Sequence, residues 1–293
     1  MHILITDSGV GGLSVVAYAE RFVRTQGFAE PVRLTFANAA PENDYGYNSM
    51  RSREEKLKTF DRFLRNVTAR FAPDSIYVAC NTLSVLLPDT TYFAKAAIPV
   101  RGIVETGFEL LARELEADPR SVVMIFGTQT TIDAGTYPRL LEQRGIEPAR
   151  IISQACPGLA DTISEDREGA KTAAEIGRWV GSAIGSMKRP DAPVVAYLAC
   201  THYGYRQELF AAAFSEAGIR ARVLDPNERA VGDLFGSSFD GRGGEGSHDT
   251  EVEFVTRYAI PEATLETLGW FLSDISPRTV AAMRNFVHLP DLF

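Results

Sequence analysis

The stretches "PDSIYVACNT", beginning at Pro73, and "PVVAYLACTH", beginning at Pro193, share one build. Each is a proline, an apolar run of strand type, then a cysteine and a polar pair, and they lie 120 residues apart. "HILITDS" against "SVVMIFGT" sets Asp7 opposite Gly127 at the same offset of 120, so each half places its second strand end 73 residues after its first. Two matches in one register point to an internal repeat. A chain built this way is restricted to two similar halves.

The pieces between the repeats define the fold class. "HILIT" (2–6), "VRLTFA" (32–37), "SIYVA" (75–79) and "IPVRGI" (98–103) read as strands in the first half. "VVMIF" (122–126), "ARIIS" (149–153), "PVVAYLA" (193–199) and "ARVLD" (221–225) read as strands in the second. Helical spacing fills the gaps: Leu57, Phe60, Leu64 and Val67 fall on one face, and a long helix is expected around 166–187. Strands alternating with helices predict an α/β fold of two pseudo-symmetric lobes, each a mostly parallel sheet flanked by helices. Residues 1–100, completed by 208–293, are expected to form the N-terminal lobe and 101–207 the second. The Gly/Ser/Asp-rich segment 236–249 reads as a mobile loop, and the tail from 262 returns to helical spacing.

Ligands of open parallel sheets bind beyond the carboxyl ends of the strands. Asp7, Cys80, Thr128 and Cys200 all directly follow predicted strands. If the two lobes face each other, Cys80 and Cys200 approach one cleft from opposite sides, and the active site is expected in that cleft.

Several chemistries compete for these residues. Cys200 and His202 are two apart, and a Cys–His nucleophile would leave Cys80 unexplained. The histidines stand at 2, 202, 248 and 288, with no CxxC or HxxxH spacing, so no metal site is expected. "DSGVGGLS" has the strand-to-helix setting of a phosphate loop, but Ser14 stands where GxGxxG requires its last glycine. Buried cysteine is an ordinary core residue, and for Cys156 in "SQACPGLA" that reading is as good as any other. For Cys80 and Cys200 it does not explain the repetition, nor the polar pairs Asn81-Thr82 and Thr201-His202 that follow them. The remaining chemistry is a pair of opposed acid–base thiols. One removes a proton from a carbon beside a carboxylate and the other returns it on the opposite face. A free thiol ionises near pH ~8.5 and needs help at neutral pH; Asp7 and His202 are the nearest assistants, one per side.

Bulk properties set outer limits. The 293 residues are 45% hydrophobic and 23% charged, and a net charge of −8 argues against nucleic acid or an anionic membrane surface as partner. Three cysteines without close spacing do not form a disulfide framework. "MHILITDSG" lacks the basic and apolar regions of a signal peptide, and no apolar run approaches the roughly 20 residues of a membrane span. A cytoplasmic setting is expected, with a homodimer left open.

"DSGVGGLSV", "DYGYNSMRSREE", "ACNTLS", "GTQTTI" and "ACTHY" together resemble the motif series of the glutamate racemases, within the cofactor-independent aspartate/glutamate racemase superfamily. The match runs over roughly residues 3 to 226. The resemblance implies interconversion of L- and D-glutamate without pyridoxal phosphate, metal or other cofactor, supplying D-glutamate for peptidoglycan. By motif position it makes Cys80 the base for the D-enantiomer and Cys200 the base for the L-enantiomer, assisted by Asp7 and His202. It assigns Ser8, Tyr45, Gly46, Asn81, Thr82, Thr128, Thr131 and Thr201 to the substrate's carboxylates and amine. The "CTH" triplet favours glutamate over aspartate. The competing expectations are a racemase or isomerase of the same superfamily acting on another acidic or N-modified amino acid, and a two-lobe binding protein without chemistry.

Overall fold

Of the strands read from the sequence, "HILIT", "VRLTFA", "SIYVA", "VVMIF" and "PVVAYLA" are buried along nearly their whole length, as interior strands of a parallel sheet must be, while the sheet-edge runs "IPVRGI", "ARIIS" and "ARVLD" are only partly buried. The computed structural model describes residues 1–28, 30–43, 45–236 and 249–293. The chain opens with β1 (His2–Asp7), α1 (Leu13–Gln26), β2 (Val32–Asn38), α2 (Arg53–Phe71), β3 (Ser75–Val78), α3 (Asn81–Ser84) and β4 (Val100–Gly102). There follow α4 (Ile103–Ala117), β5 (Val122–Gly127), α5 (Gln129–Asp133), α6 (Thr136–Gln143), β6 (Ile151–Ala155), α7 (Leu159–Glu165), α8 (Ala170–Gly185), β7 (Val194–Ala199), α9 (Gln207–Glu216) and β8 (Ala221–Leu224). The last elements are α10 (Ala230–Phe235), β9 (Thr250–Thr256), α11 (Glu262–Leu272), α12 (Pro277–Arg284) and β10 (Val287–His288).

Contacts divide the chain into two units, Met1–Ile103 with Asn227–Phe293, and Val104–Pro226. Among the described residues the sheets run β10-β9-β2-β1-β3-β4 in the first unit and β6-β5-β7-β8 in the second. The order β2-β1-β3-β4 is repeated as β6-β5-β7-β8, with every pairing parallel. The repeat extends to register. Ile3 pairs with Ser75 in one unit and Val123 with Val195 in the other, each residue 120 positions beyond its counterpart. The α/β class and the internal duplication are therefore features of the fold itself.

Two features depart from the sequence reading. Segment 208–226, expected in the N-terminal lobe, belongs to the second unit, because β8 pairs with β7 and α9 packs on α8 and β8. The chain returns to the first unit only at Asn227. The second departure is β9, which extends the first sheet beyond β2 from Val32↔Thr250 to Ala37↔Val255 and in turn carries β10. Sequence reading placed no strand there. Most of the expected 236–249 loop lies outside the described residues.

Local signals explain the helices. Ser52 caps α2, its Oγ accepting from the Glu55 amide at 3.1 Å, while the Glu55 carboxylate accepts from the Arg51 amide at 3.1 Å. The buried stripe of α2 is Phe60, Phe63, Leu64 and Val67, with Leu57 at its half-buried edge. In α1 the carboxylate of Glu20 is fully buried and is met by Arg24 at 3.2 Å and by Arg278 of α12 at 3.8 Å. That shared anion ties α12 to α1.

The second unit is organised around two tyrosines. Tyr137 of α6 and Tyr197 of β7 are fully buried, with their hydroxyls 2.8 Å apart and their rings packed edge to face. Gly107 of α4 makes room for them, since a Cβ there would stand 1.8 Å from the Tyr197 hydroxyl and 2.8 Å from that of Tyr137. Gly107→Ala is expected to lower the unfolding free energy of this unit by about 1–3 kcal/mol through overpacking. Denaturant unfolding followed by Trp179 fluorescence in a Trp270→Phe background measures it, and Tyr197→Phe should recover part of the loss. An unchanged midpoint would mean that the tyrosine pair moves aside freely.

Candidate active site

In the first unit β1 and β3 are neighbours, so the residues leaving their carboxyl ends emerge side by side. Asp7 ends β1 and is buried, and its carboxylate accepts from the Gly9 amide at 3.0 Å. A Cβ on Gly12 would lie 2.9 Å from both Cβ and Oδ2 of Asp7, so the glycine lets α1 begin directly against that carboxylate. Cys80 follows β3 at the start of α3 and is 5% exposed. Ser8 Oγ and Cys80 Sγ are 3.0 Å apart. Asn81 and Thr82 are buried immediately behind the thiol.

Burial sets the chemistry of this thiol. Desolvation, reinforced by the Asp7 carboxylate, pushes Cys80 up to about 12, and the hydrogen bond from Ser8 only partly offsets it. Cys80 is thus a protonated thiol at neutral pH until something cationic enters beside it.

The second unit repeats the layout with different side chains. Thr128 follows β5 and caps α5, its Oγ1 accepting from the Thr131 amide at 3.3 Å and lying 3.0 Å from Thr131 Oγ1. Cys200 and the buried Thr201 follow β7, which neighbours β5. Cys200 Sγ lies 4.0 Å from Nδ1 of His202. His202 opens a single 3₁₀ turn, Tyr203–Arg206, which is anchored at both ends. The Tyr203 hydroxyl donates to the Cys156 carbonyl at 3.2 Å, and Arg206 donates to the Asp166 carbonyl at 2.7 Å.

Burial lowers His202 to about 4, so at neutral pH it is an uncharged imidazole able to accept a thiol proton. Cys156 is a further buried thiol of this unit, pushed up to about 12 by burial, with its amide bonded to the Gly127 carbonyl at 2.9 Å. Its main-chain bonds to β5 and to Tyr203 make it a packing residue. All three cysteines are free.

The expected site residues thus fall into two groups. Asp7, Ser8, Cys80, Asn81 and Thr82 sit at adjoining strand ends of one unit, and Thr128, Thr131, Cys200, Thr201 and His202 at adjoining strand ends of the other. Tyr45 and Gly46 lie in the segment between β2 and α2, and the Tyr45 hydroxyl donates to Glu55 at 2.7 Å. That phenol is committed to the cap of α2 and would have to leave it to meet a ligand. Sequence reasoning did not single out Asn38, which ends β2 opposite Asp7 and joins β2 to the β9 end through Thr256 and Tyr258. Its position immediately after an apolar run is the same signal that marks Asp7. Among the described residues no group of three or more His, Cys, Asp and Glu is placed to hold a metal ion, and no helix is long and apolar enough to cross a membrane.

His202 supplies a direct test of these electrostatics. Its native value of about 4 lies below the ordinary 6.5, so between those values the unfolded chain binds the extra proton. The contribution of His202 to stability is therefore intact above pH 6.5 and declines as pH falls across that window. Imidazole nitrogen shifts followed by NMR should show a midpoint near pH 4. A midpoint near 6.5 would mean that the ring is solvated.

The chain is similar to known proteins in sequence and in fold. A glutamate racemase of Nitratiruptor sp. is 28% identical over 216 residues, covering 73% of this chain and 77% of its own. A glutamate racemase isoform from Bacillus anthracis superposes with a TM-score of 0.70 at 21% identity, over 92% of this chain and 93% of its own. A glutamate racemase from Francisella tularensis, solved in complex with D-glutamate, superposes with a TM-score of 0.68 at 20% identity over the same shares. The sequence profile of the Asp/Glu/hydantoin racemases matches residues 16–234, and with three quarters of the length inside that match the chain belongs to this family.

Proposed function

We propose that this protein interconverts L- and D-glutamate by passing the α-proton between Cys80 and Cys200. The observation that carries the reading is the duplication of a strand-end thiol at one register, each thiol with its own proton acceptor nearby, Asp7 for Cys80 and His202 for Cys200. Membership of a racemase family supports the reaction class, and the relatives named for glutamate support the substrate.

The chemistry asks for one thiol on each side of the same α-carbon. With L-glutamate, the Cys200 thiolate takes the α-proton and becomes a thiol. The electron pair left on carbon spreads into the α-carboxylate, and the Cys80 thiol delivers its proton to the opposite face, becoming a thiolate. The reverse reaction exchanges the two roles, so no electrons are lost and no cofactor is needed. Asp7 and His202 take up and return the thiol protons between turnovers. The resting state fits this demand. Cys80 is held protonated by burial and by Asp7, and the ammonium group of an entering amino acid is the cation that offsets both. Ser8, Asn81, Thr82, Thr128, Thr131 and Thr201, with the Tyr45–Gly46 segment, are the groups we assign to the carboxylates and amine. Donors fixed around the α-carboxylate stabilise the charge that develops there.

We further infer that the D-glutamate made serves peptidoglycan synthesis and that the protein works in the cytoplasm, where reducing conditions keep the three thiols free. Loss of optical activity of L- and D-glutamate over time tests the activity. Cys80→Ala and Cys200→Ala should each lower the racemisation rate by roughly 10²–10⁴-fold, the usual contribution of a positioned acid or base. Retention of full activity in either variant contradicts the two-thiol reading. Turnover of aspartate or of a hydantoin in place of glutamate would move the substrate assignment within the family.

A further inference from the structure

Tyr47 lies in the segment that leaves β2 beside the Asp7 strand end, and it is 1% exposed. Its ring packs edge-on against Phe60 of α2, with centroids 6.2 Å apart. Its hydroxyl has no hydrogen-bond partner among the described residues. Tyr137, Tyr197 and Tyr203 are equally buried, and each of their hydroxyls reaches a partner. A buried donor without an acceptor carries a desolvation penalty. Phenylalanine would fill the same space against Phe60 without it.

The surroundings indicate what the missing acceptor is. Burial holds the phenol protonated, so its O–H is available to donate to an anionic oxygen. Among the described residues, the Cys80 thiol and the Arg62 guanidinium are the groups that act on it electrostatically. An anionic oxygen arriving beside Cys80 would complete the hydroxyl's bonding and would be favoured by the Arg62 cation.

We propose that Tyr47 is a substrate-recognition residue of the Cys80 half of the site, its hydroxyl donating to a carboxylate oxygen of the bound amino acid. The inference rests on the reading that an acidic amino acid meets Cys80. Tyr47 is a binding group here and transfers no proton.

Tyr47→Phe keeps the ring and removes only the donor. Its KM for glutamate should rise about 10–100-fold, as expected for loss of a hydrogen bond to a charged group, with kcat within about threefold of the original. The glutamate concentration that protects the protein from thermal unfolding should rise in parallel. Thermal unfolding of the ligand-free variant should be unchanged or slightly higher. KM and protecting concentration both within about twofold of the original protein overturn the proposal. If the original protein binds glutamate by the protection assay without racemising it, the functional reading fails. The Tyr47 assignment then stands or falls on the protection shift alone.

Discussion

Parallel pairing of β1 with β3, and of β5 with β7, is the constraint on which the rest of the structure depends. In a parallel ladder neighbouring strands end on the same side, so residues leaving adjacent strands are brought together without any long-range design. Asp7 and Ser8 meet Cys80 in this way, and Thr128 leaves a strand end adjoining that of Cys200. Because both ladders hold one register offset by 120 residues, the second unit inherits the layout of the first. The two sites diverge in side chains while keeping position. An aspartate stands by one thiol, and a histidine by the other.

That divergence matters electrically. A carboxylate beside a buried thiol opposes ionisation, and Cys80 accordingly sits at about 12. A neutral imidazole adds no such charge to Cys200, and burial keeps His202 neutral down to about pH 4. Cys80 is therefore not held as a reactive thiolate in an empty site in the way that a nucleophilic cysteine is. Under the proposed function the substrate brings the charge that completes each half, its ammonium relieving the repulsion at Cys80. Reactivity at Cys80 is then confined to the moment when the ligand is bound, which protects this buried thiol from adventitious oxidation.

Much of this was legible in the residues themselves. Apolar runs such as "VVMIF" and "PVVAYLA" become interior strands because both faces are covered, and a continuous run is what such strands require. The matching cysteines and their polar followers disclosed the duplication and set His202 beside Cys200, whereas the contact of Ser8 with Cys80 was not read from the sequence. What was missed follows from weaker signals. β9 reads "TEVEFVT", an alternating pattern of a half-covered strand, and it follows a Gly-rich stretch that masks its start. The second unit keeps 208–226 because β8 needs β7, a pairing that strand composition alone does not assign to either lobe. The Tyr45 hydroxyl is taken by Glu55, whose place in the cap of α2 depends on how the 45–55 segment folds back. Tyr47 gives no sequence signal at all, since its meaning lies in an unmet hydroxyl visible only when its surroundings are known.

The central claim is that two different thiols serve the two faces of one carbon, and isotope flow reports this directly. L-glutamate racemised in deuterated water should give early D-glutamate carrying deuterium at the α-carbon while the remaining L-glutamate keeps its original hydrogen. The thiol that donates has exchanged with solvent, and the thiol that abstracts hands its proton back only to the face it came from. Deuterium rising equally in both enantiomers from the first time points would mean one base serving both faces, and would contradict the account.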